Sequence, residues 1–253
     1  MNSIIERGAR IGANVTIGDF TTIKNNVTIN DNCVIGNNCI IGHPSIRGDQ
    51  RQVIINSGSH IRSHTVIYEG SQFGESLETG HFVVVRENSI CGKNLRLGSY
   101  CDLEGDLTIG DYTRFHSDVN VGKDSRIGDF VWIFPGVQFT NDPLPPSNIC
   151  SGVSIKDMSV VMANVTLFPG VTIGSGAVIG AASVVKDDIP DIIFATGVPA
   201  KGLCRIDQIR DNLYGLRYPW PIHFRENYPE KSFALMDEVL ENINYLIKTA
   251  RSA

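Results

Sequence analysis

The sequence predicts an all-β solenoid, and three observations carry that prediction. An aliphatic residue recurs every six positions, a small or aliphatic residue follows four later, and Gly, Asn or Asp crowds the gaps between. The count starts at Ile11 and steps through Ile17, Ile23, Ile29 and Ile35 to Ile41. It resumes at Ile55 and passes Ile61, Ile67, Phe73, Thr79, Val85, Cys91, Leu97, Leu103, Ile109, Phe115, Val121, Ile127 and Ile133 to Phe139. A last run goes from Ile155 through Val161, Leu167, Ile173 and Ile179 to Val185. Only Thr79 and Cys91 depart from Ile, Leu, Val or Phe. The companion positions hold residues such as Val15, Cys33, Ser89, Cys101, Val119 and Ala177. A fixed repeat of this kind decides the architecture before any single residue does.

A period of six is neither a helix period nor plain alternation. It fits a triangular prism that spends one hexad per side, with the beat residue and its companion inward and Gly, Asn or Asp at the corner. Three hexads close a coil of about 18 residues, so the repeat gives about nine coils stacked at about 4.8 Å, a prism about 40 Å tall. The beat breaks at 43–54 and 141–154, which are predicted as protruding loops. The prism is expected over residues 1–205, with Ala195 to Arg205 wrapping the last coil. An extension follows over 206–253. In it, Tyr218-Pro219-Trp220-Pro221 is a rigid aromatic stretch suited to stacking on a ring or pinning the tail to the prism. Met236, Val239, Leu240, Ile243, Leu246 and Ile247 form a stripe at helical spacing, which predicts a helix over about 230–250 packed on the prism or a neighbouring subunit.

Composition narrows the function. The chain has 253 residues, 42% hydrophobic, and a formal charge of −5, which argues against nucleic acid or an anionic membrane as partner. No apolar run approaches the ~20 residues that span a bilayer, and Met1 to Gly18 lacks the apolar centre of a signal peptide. Cys33, Cys39, Cys91 and Cys101 fall on inward positions and read as small core residues rather than a disulfide framework, which fits a reducing cytosol. A cytoplasmic protein is therefore expected. Cys150 and Cys204 lie off the repeat.

The beat, closed by Thr196-Gly197-Val198-Pro199-Ala200-Lys201, resembles the left-handed β-helix acyltransferases that use acyl-CoA, and the resemblance spans about residues 11–205. Two segments, Thr79-Gly80-His81-Phe82-Val83-Val84-Val85-Arg86-Glu87-Asn88 and Phe134-Pro135-Gly136-Val137-Gln138-Phe139-Thr140-Asn141-Asp142-Pro143, resemble one branch of that family. It acylates the amino group of nucleotide-linked amino-dideoxy sugars. The resemblance implies a left-handed parallel β-helix and a homotrimer with substrates in the groove between subunits. It also implies acetyl-CoA or a longer acyl-CoA as co-substrate, no metal, and a role in lipopolysaccharide or O-antigen biosynthesis, with a dTDP-linked amino-dideoxyhexose as the expected acceptor.

The coil length locates candidate residues. Asp102 plus eighteen is Asn120, so both stack on one outward face, with Val84 one coil below. His81 begins that side and stacks on Ser99 and Ser117, while Glu104 and His116 directly follow beat residues. Amine acylation needs a group to take a proton from the attacking nitrogen and a donor for the oxyanion. His81, or Asp102 with His116, is the candidate for the first task. Glu104, Ser117, Asn120, Asn141 and Asp142 are candidates for holding the acceptor, although Asn141 and Asp142 are equally able to cap their own loop turn. Along the upper coils Gly180, Ala182 and Gly197 offer close backbone approach to acyl-CoA, and Lys186, Lys201 and Arg205 are sensible phosphate partners.

Other readings of this prism fare less well. Hydroxyl acetyltransferases of the fold place a His near the loop after this region, whereas Thr140 to Ser154 has none, which favours an amine acceptor over a sugar hydroxyl. The histidines lack the spacing of a three-His zinc site. Repeats beginning at Ile11 leave no space for a preceding nucleotidyltransferase domain. A non-catalytic trimeric scaffold fits poorly with the polar wall between residues 80 and 120.

Overall fold

The computed structural model describes residues 2–46, 51–210, 215 and 225–252. Its strands form three sheets of ten, nine and eleven members, parallel except for the closing hairpin, and up to that hairpin each strand pairs with the one three places on in the chain. The first face begins at Ile4–Ile5, the second at Arg10–Ile11 and the third at Thr16–Ile17. This is the expected parallel β-solenoid, with one extra rung ahead of the first beat. The predicted inward residues fill its axis: Ile23, Ile41, Ile61, Leu103, Val121 and Ile179 are buried, as are the companions Cys33, Ser89, Cys101, Val119 and Ala177. Only at the open N-terminal end do repeat residues stay uncovered, with Ile11 exposed, because no coil lies below to close the core. At the other end the antiparallel hairpin Ile193–Gly197 and Ala200–Arg205 finishes the third face.

Glycine follows the beat for a steric reason. A Cβ at Gly12, Gly18, Gly92, Gly110 or Gly128 would lie only 2.2–2.4 Å from the side-chain oxygen of an Asp or Asn in the next coil. That oxygen caps the backbone N–H following the glycine: the Asp31 carboxylate accepts from Ala13 N at 2.7 Å. Asn37 does the same for Asp19 N at 2.9 Å. A column of carboxylates results, with Asp111 capping Lys93 N, Asp129 capping Asp111 N and Asp157 capping Asp129 N. Burial, with a smaller contribution from the flanking Asp157 and Asp111 charges, pushes the Asp129 carboxyl up.

Corners turn through residues with positive φ, most of them Asn, Asp or Gly, but Tyr112, Phe130, Met158 and Ile192 do so too. A left-handed conformation costs a non-glycine residue about 1–2 kcal/mol. These four are buried beneath the C-terminal segment, beside Tyr228, Met236, Ile243 and Ile247. Burying a large apolar side chain gains about 1.5–3 kcal/mol, which outweighs the strain. The predicted helix runs Phe233–Ser252 and packs on the prism through its expected stripe. Ahead of the helix, Trp132 Nε1 donates to Tyr228 Oη at 2.7 Å. The Tyr218 and Trp220 stretch lies outside the described residues.

Asp129→Asn keeps the acceptor and removes a charge the fold disfavours, so its melting temperature at pH 7 should equal or exceed the wild type. Asp129→Ala strands the Asp111 N–H, at a cost of about 1–3 kcal/mol, and should melt several degrees lower. Thermal denaturation of both variants checks this; equal losses would assign the effect to charge rather than capping.

Candidate functional site

The outward column on the first face is in register as the repeat predicts. Val66 pairs with Val84, Val84 with Asp102, Asp102 with Asn120, and Asn120 with Gln138. The residue before each beat must point away from the core, so polar side chains here face out. Asp102 is nevertheless half-buried, and its Oδ1 is buried with no hydrogen-bond partner among the described residues. Burial raises the pKa of this carboxyl, Glu104 raises it further, and Arg86 acts in the opposite direction. A carboxylate oxygen left dry on an outward face is costly unless something else completes it.

Along the corner between the third and first faces, His81 is exposed. Its Nδ1 lies 2.8 Å from Ser63 Oγ, and its backbone N–H donates to Ser99 Oγ at 3.0 Å. Ser117 lies in the next coil and is also exposed. His116 is half-buried, stacked on Phe134 with ring centroids 4.6 Å apart and tilted against Trp132 at 6.0 Å. Burial holds its pKa below the usual histidine value. Among the described residues neither histidine bonds to Asp102, so the structure places them on one side of the carboxylate without joining them to it.

The opposite corner of the first face carries Glu104, which accepts from Asn141 Nδ2 at 3.1 Å and from Lys123 N at 3.3 Å. Asp142 behaves differently from its neighbour. Both its oxygens are taken by the loop, from Leu144 N at 3.0 Å, Ser147 N at 2.7 Å and Ser147 Oγ at 2.5 Å. These bonds hold its pKa down. The loop-capping alternative for Asp142 is therefore the one its geometry satisfies. Both interruptions leave the prism from this same corner, after strands Ile40–His43 and Gln138–Phe139 of the first face.

In the upper coils the candidates for acyl-CoA scatter. Gly180 is buried, and a Cβ there would meet Thr196 Oγ1 at 2.5 Å. Ala182 is exposed at a corner, and Gly197 takes a φ of +111° beside the turn of the closing hairpin. Lys186 is exposed, whereas Lys201 pairs with Asp187 at 3.0 Å. Arg205 is committed elsewhere. Its Nε lies 3.0 Å from Asp207, a carboxylate it shares with Arg251 of the C-terminal helix.

Sequence reasoning passed over two clusters. Tyr68 and Arg86 stack below Glu104, with the guanidinium 6.0 Å from the Tyr68 ring and His43 on its other side at 4.6 Å. Glu78, Arg96 and Arg114 form a register column on the third face. Stepping by eighteen from Glu104 or from Arg114 finds both sets.

These features define a hexapeptide-repeat β-solenoid with an outward polar column. The family described as bacterial transferase hexapeptide (six repeats) matches residues 8–43. It is 36% identical over 96 residues to the galactoside O-acetyltransferase of Escherichia coli, covering 35% of this chain and 47% of that one. It is 34% identical over 67 residues to a 2,3,4,5-tetrahydropyridine-2,6-dicarboxylate N-acetyltransferase of Staphylococcus aureus, covering 26% and 27%. The chain thus spans under half the length of either relative. An Arabidopsis UDP-N-acetylglucosamine acyltransferase structure shares the fold, with a TM-score of 0.54 at 16% identity over 81% of this chain and 73% of that one.

Because its folded-state pKa is raised, ionised Asp102 opposes folding above the folded pKa, and the penalty fades as pH falls toward the unfolded value near 3.8. Asp102→Asn should raise the melting temperature at pH 7, with the gap to wild type narrowing toward pH 4. Melts across that range check the sign.

Proposed function

We propose that this protein is an acyl-CoA-dependent N-acyltransferase that acetylates the amino group of a nucleotide-linked amino-dideoxyhexose, dTDP-linked by first expectation, for surface polysaccharide. The single observation carrying the reading is Asp102. It is a half-buried carboxylate with an unpartnered oxygen, stacked on Asn120 in an outward column of a hexapeptide-repeat prism. Resemblance of the segments around His81 and Phe134 to the amino-sugar branch supports the acceptor class, as does the absence of histidine from Thr140 to Ser154.

The chemistry follows from the protonation states. The sugar amine attacks the thioester carbonyl, a C–N bond forms, and the intermediate collapses by breaking C–S and releasing CoA. The nitrogen must shed a proton on the way. His116, held neutral by burial, is able to accept it near pH 7, and Asp102, whose raised pKa makes it a better base than a solvated carboxylate, is the alternative acceptor. Asn120, Ser117, Glu104 and Asn141 position the sugar. Gly180, Ala182 and Gly197 give the pantetheine arm room, with Lys186 and Lys201 toward its phosphates. A homotrimer supplies the second wall of the groove, over the outward Ile40, Val66 and Val84. The likeness to a galactoside O-acetyltransferase makes a sugar hydroxyl the alternative acceptor.

Mass spectrometry of the protein incubated with acetyl-CoA and a panel of dTDP-, UDP- and GDP-linked amino-dideoxyhexoses tests the reading. A gain of one acetyl group on an amine establishes it. Acetylation only of a hydroxyl acceptor such as a galactoside replaces it with the alternative. On the productive substrate, kcat/KM should fall as pH drops through a value below 6.5. His116→Ala should abolish that limb and lower kcat/KM by about 10²–10⁴. A limb surviving in His116→Ala but lost in Asp102→Asn makes the carboxylate the base.

A further inference from the structure

A pocket of about 310 Å³ opens on the third face beside the candidate site, lined by Arg62, Glu78, Arg96, Ser99 and Ser117 over the bare backbone of Gly80 and Gly98. It lies at the lower end of the roughly 300–1,000 Å³ range of small-ligand sites. Gly98 sits directly under His116, since a Cβ there would meet the His116 carbonyl carbon at 2.3 Å. The slot therefore opens one coil below the histidine.

Its charge is unusual for this chain. The protein carries a formal charge of −5, yet Glu78 is the one carboxylate among the lining residues and is shared by two guanidiniums. Arg62 Nη2 reaches it at 3.2 Å and Arg96 Nε at 2.9 Å. A third cation, Arg114, is the register partner of Arg96. Like charges on adjacent strands repel, and this column holds more guanidinium than carboxylate among the described residues. Arg114 is buried, with its guanidinium 4.5 Å from the Tyr228 ring. Arg96 is half-exposed and has no partner at its two terminal nitrogens among the described residues. Two hydroxyls complete the donors. Ser99 Oγ accepts from the His81 N–H, which leaves its own proton to donate, and the Ser117 hydroxyl has no partner among the described residues.

We propose that this pocket binds a phosphoryl group, with Arg96 as the charged donor, Ser99 and Ser117 as the hydroxyl donors, and Arg62, its own fork held by Glu78 and the Thr79 carbonyl, adding positive charge. A guanidinium fork matches a phosphate in bidentate geometry, and charge-assisted bonds of this kind are roughly twice as strong as neutral ones. Two substrates in the proposed reaction carry such a group: the diphosphate of a nucleotide sugar and the phosphates of CoA. The identity of the carrier rests on the acyltransferase reading; the binding itself does not.

Isothermal titration of the full chain with UDP, dTDP, GDP, CoA and inorganic pyrophosphate tests it without turnover. Arg96→Ala should weaken binding at least tenfold. Glu78→Gln should tighten it several-fold, because it removes the negative charge while keeping an amide acceptor for the guanidiniums. Opposite signs from two variants of one ion-paired cluster are something a purely structural role does not produce, and thermal melts confirm that both variants are folded. Loss confined to the nucleoside diphosphates makes this the acceptor's subsite, and loss confined to CoA makes it the donor's. Failure of every probe to bind wild type, or affinities unmoved in both variants, overturns the proposal. Phosphate binding without acetyl transfer to any amine or hydroxyl leaves the pocket standing and removes the acyltransferase reading instead.

Discussion

Everything in this molecule depends on parallel strands stacking in register, so that a residue's neighbour above is the residue one coil, normally eighteen positions, later. At a rung spacing of about 4.8 Å, side chains of one column are forced into contact. Apolar residues benefit along the axis. Polar residues must find a use for the neighbour or tolerate it. Asn and Asp at the corners do so by capping the backbone N–H of the coil before, and the preceding glycine clears the space that the cap needs. Stacked aromatics at the corner of the first face, His64 on Phe82 at 4.5 Å and Phe82 on Tyr100 at 5.3 Å, obey the same geometry.

Periodicity also decided what could be read from the chain before the structure. The axis, the loops after His43 and Thr140, and the stacking of Asp102 on Asn120 all follow from counting, because each depends only on position within the coil. Asp142 and Arg205 do not. The bonds of Asp142 arise from the fold of its own aperiodic loop, and Arg205 is held by Asp207, whose other partner is Arg251 at the far end of the chain. The position of the C-terminal helix on the prism was likewise hidden in its own stripe, which says only that one side is apolar. The clue lay in the prism. Tyr112, Phe130, Met158 and Ile192 replace the expected Asn or Gly at one corner, and such a replacement is stable only where something covers it.

That covering divides the surface. The tail closes over the upper third face and one of its corners, where Val160 and Val178 turn outward and are buried. Among the described residues, the tail cluster leaves the first face free, and so too the Arg62, Glu78 and Arg96 part of the third. The open area is where the unsatisfied groups gather: a dry carboxylate oxygen on Asp102, a histidine whose burial disfavours its charge, and an excess of guanidinium over carboxylate. Each lowers the stability of the chain taken alone. A bound amine, a proton in transit and a phosphate would relieve the three in turn, so the sites of local instability and the proposed sites of chemistry are the same residues.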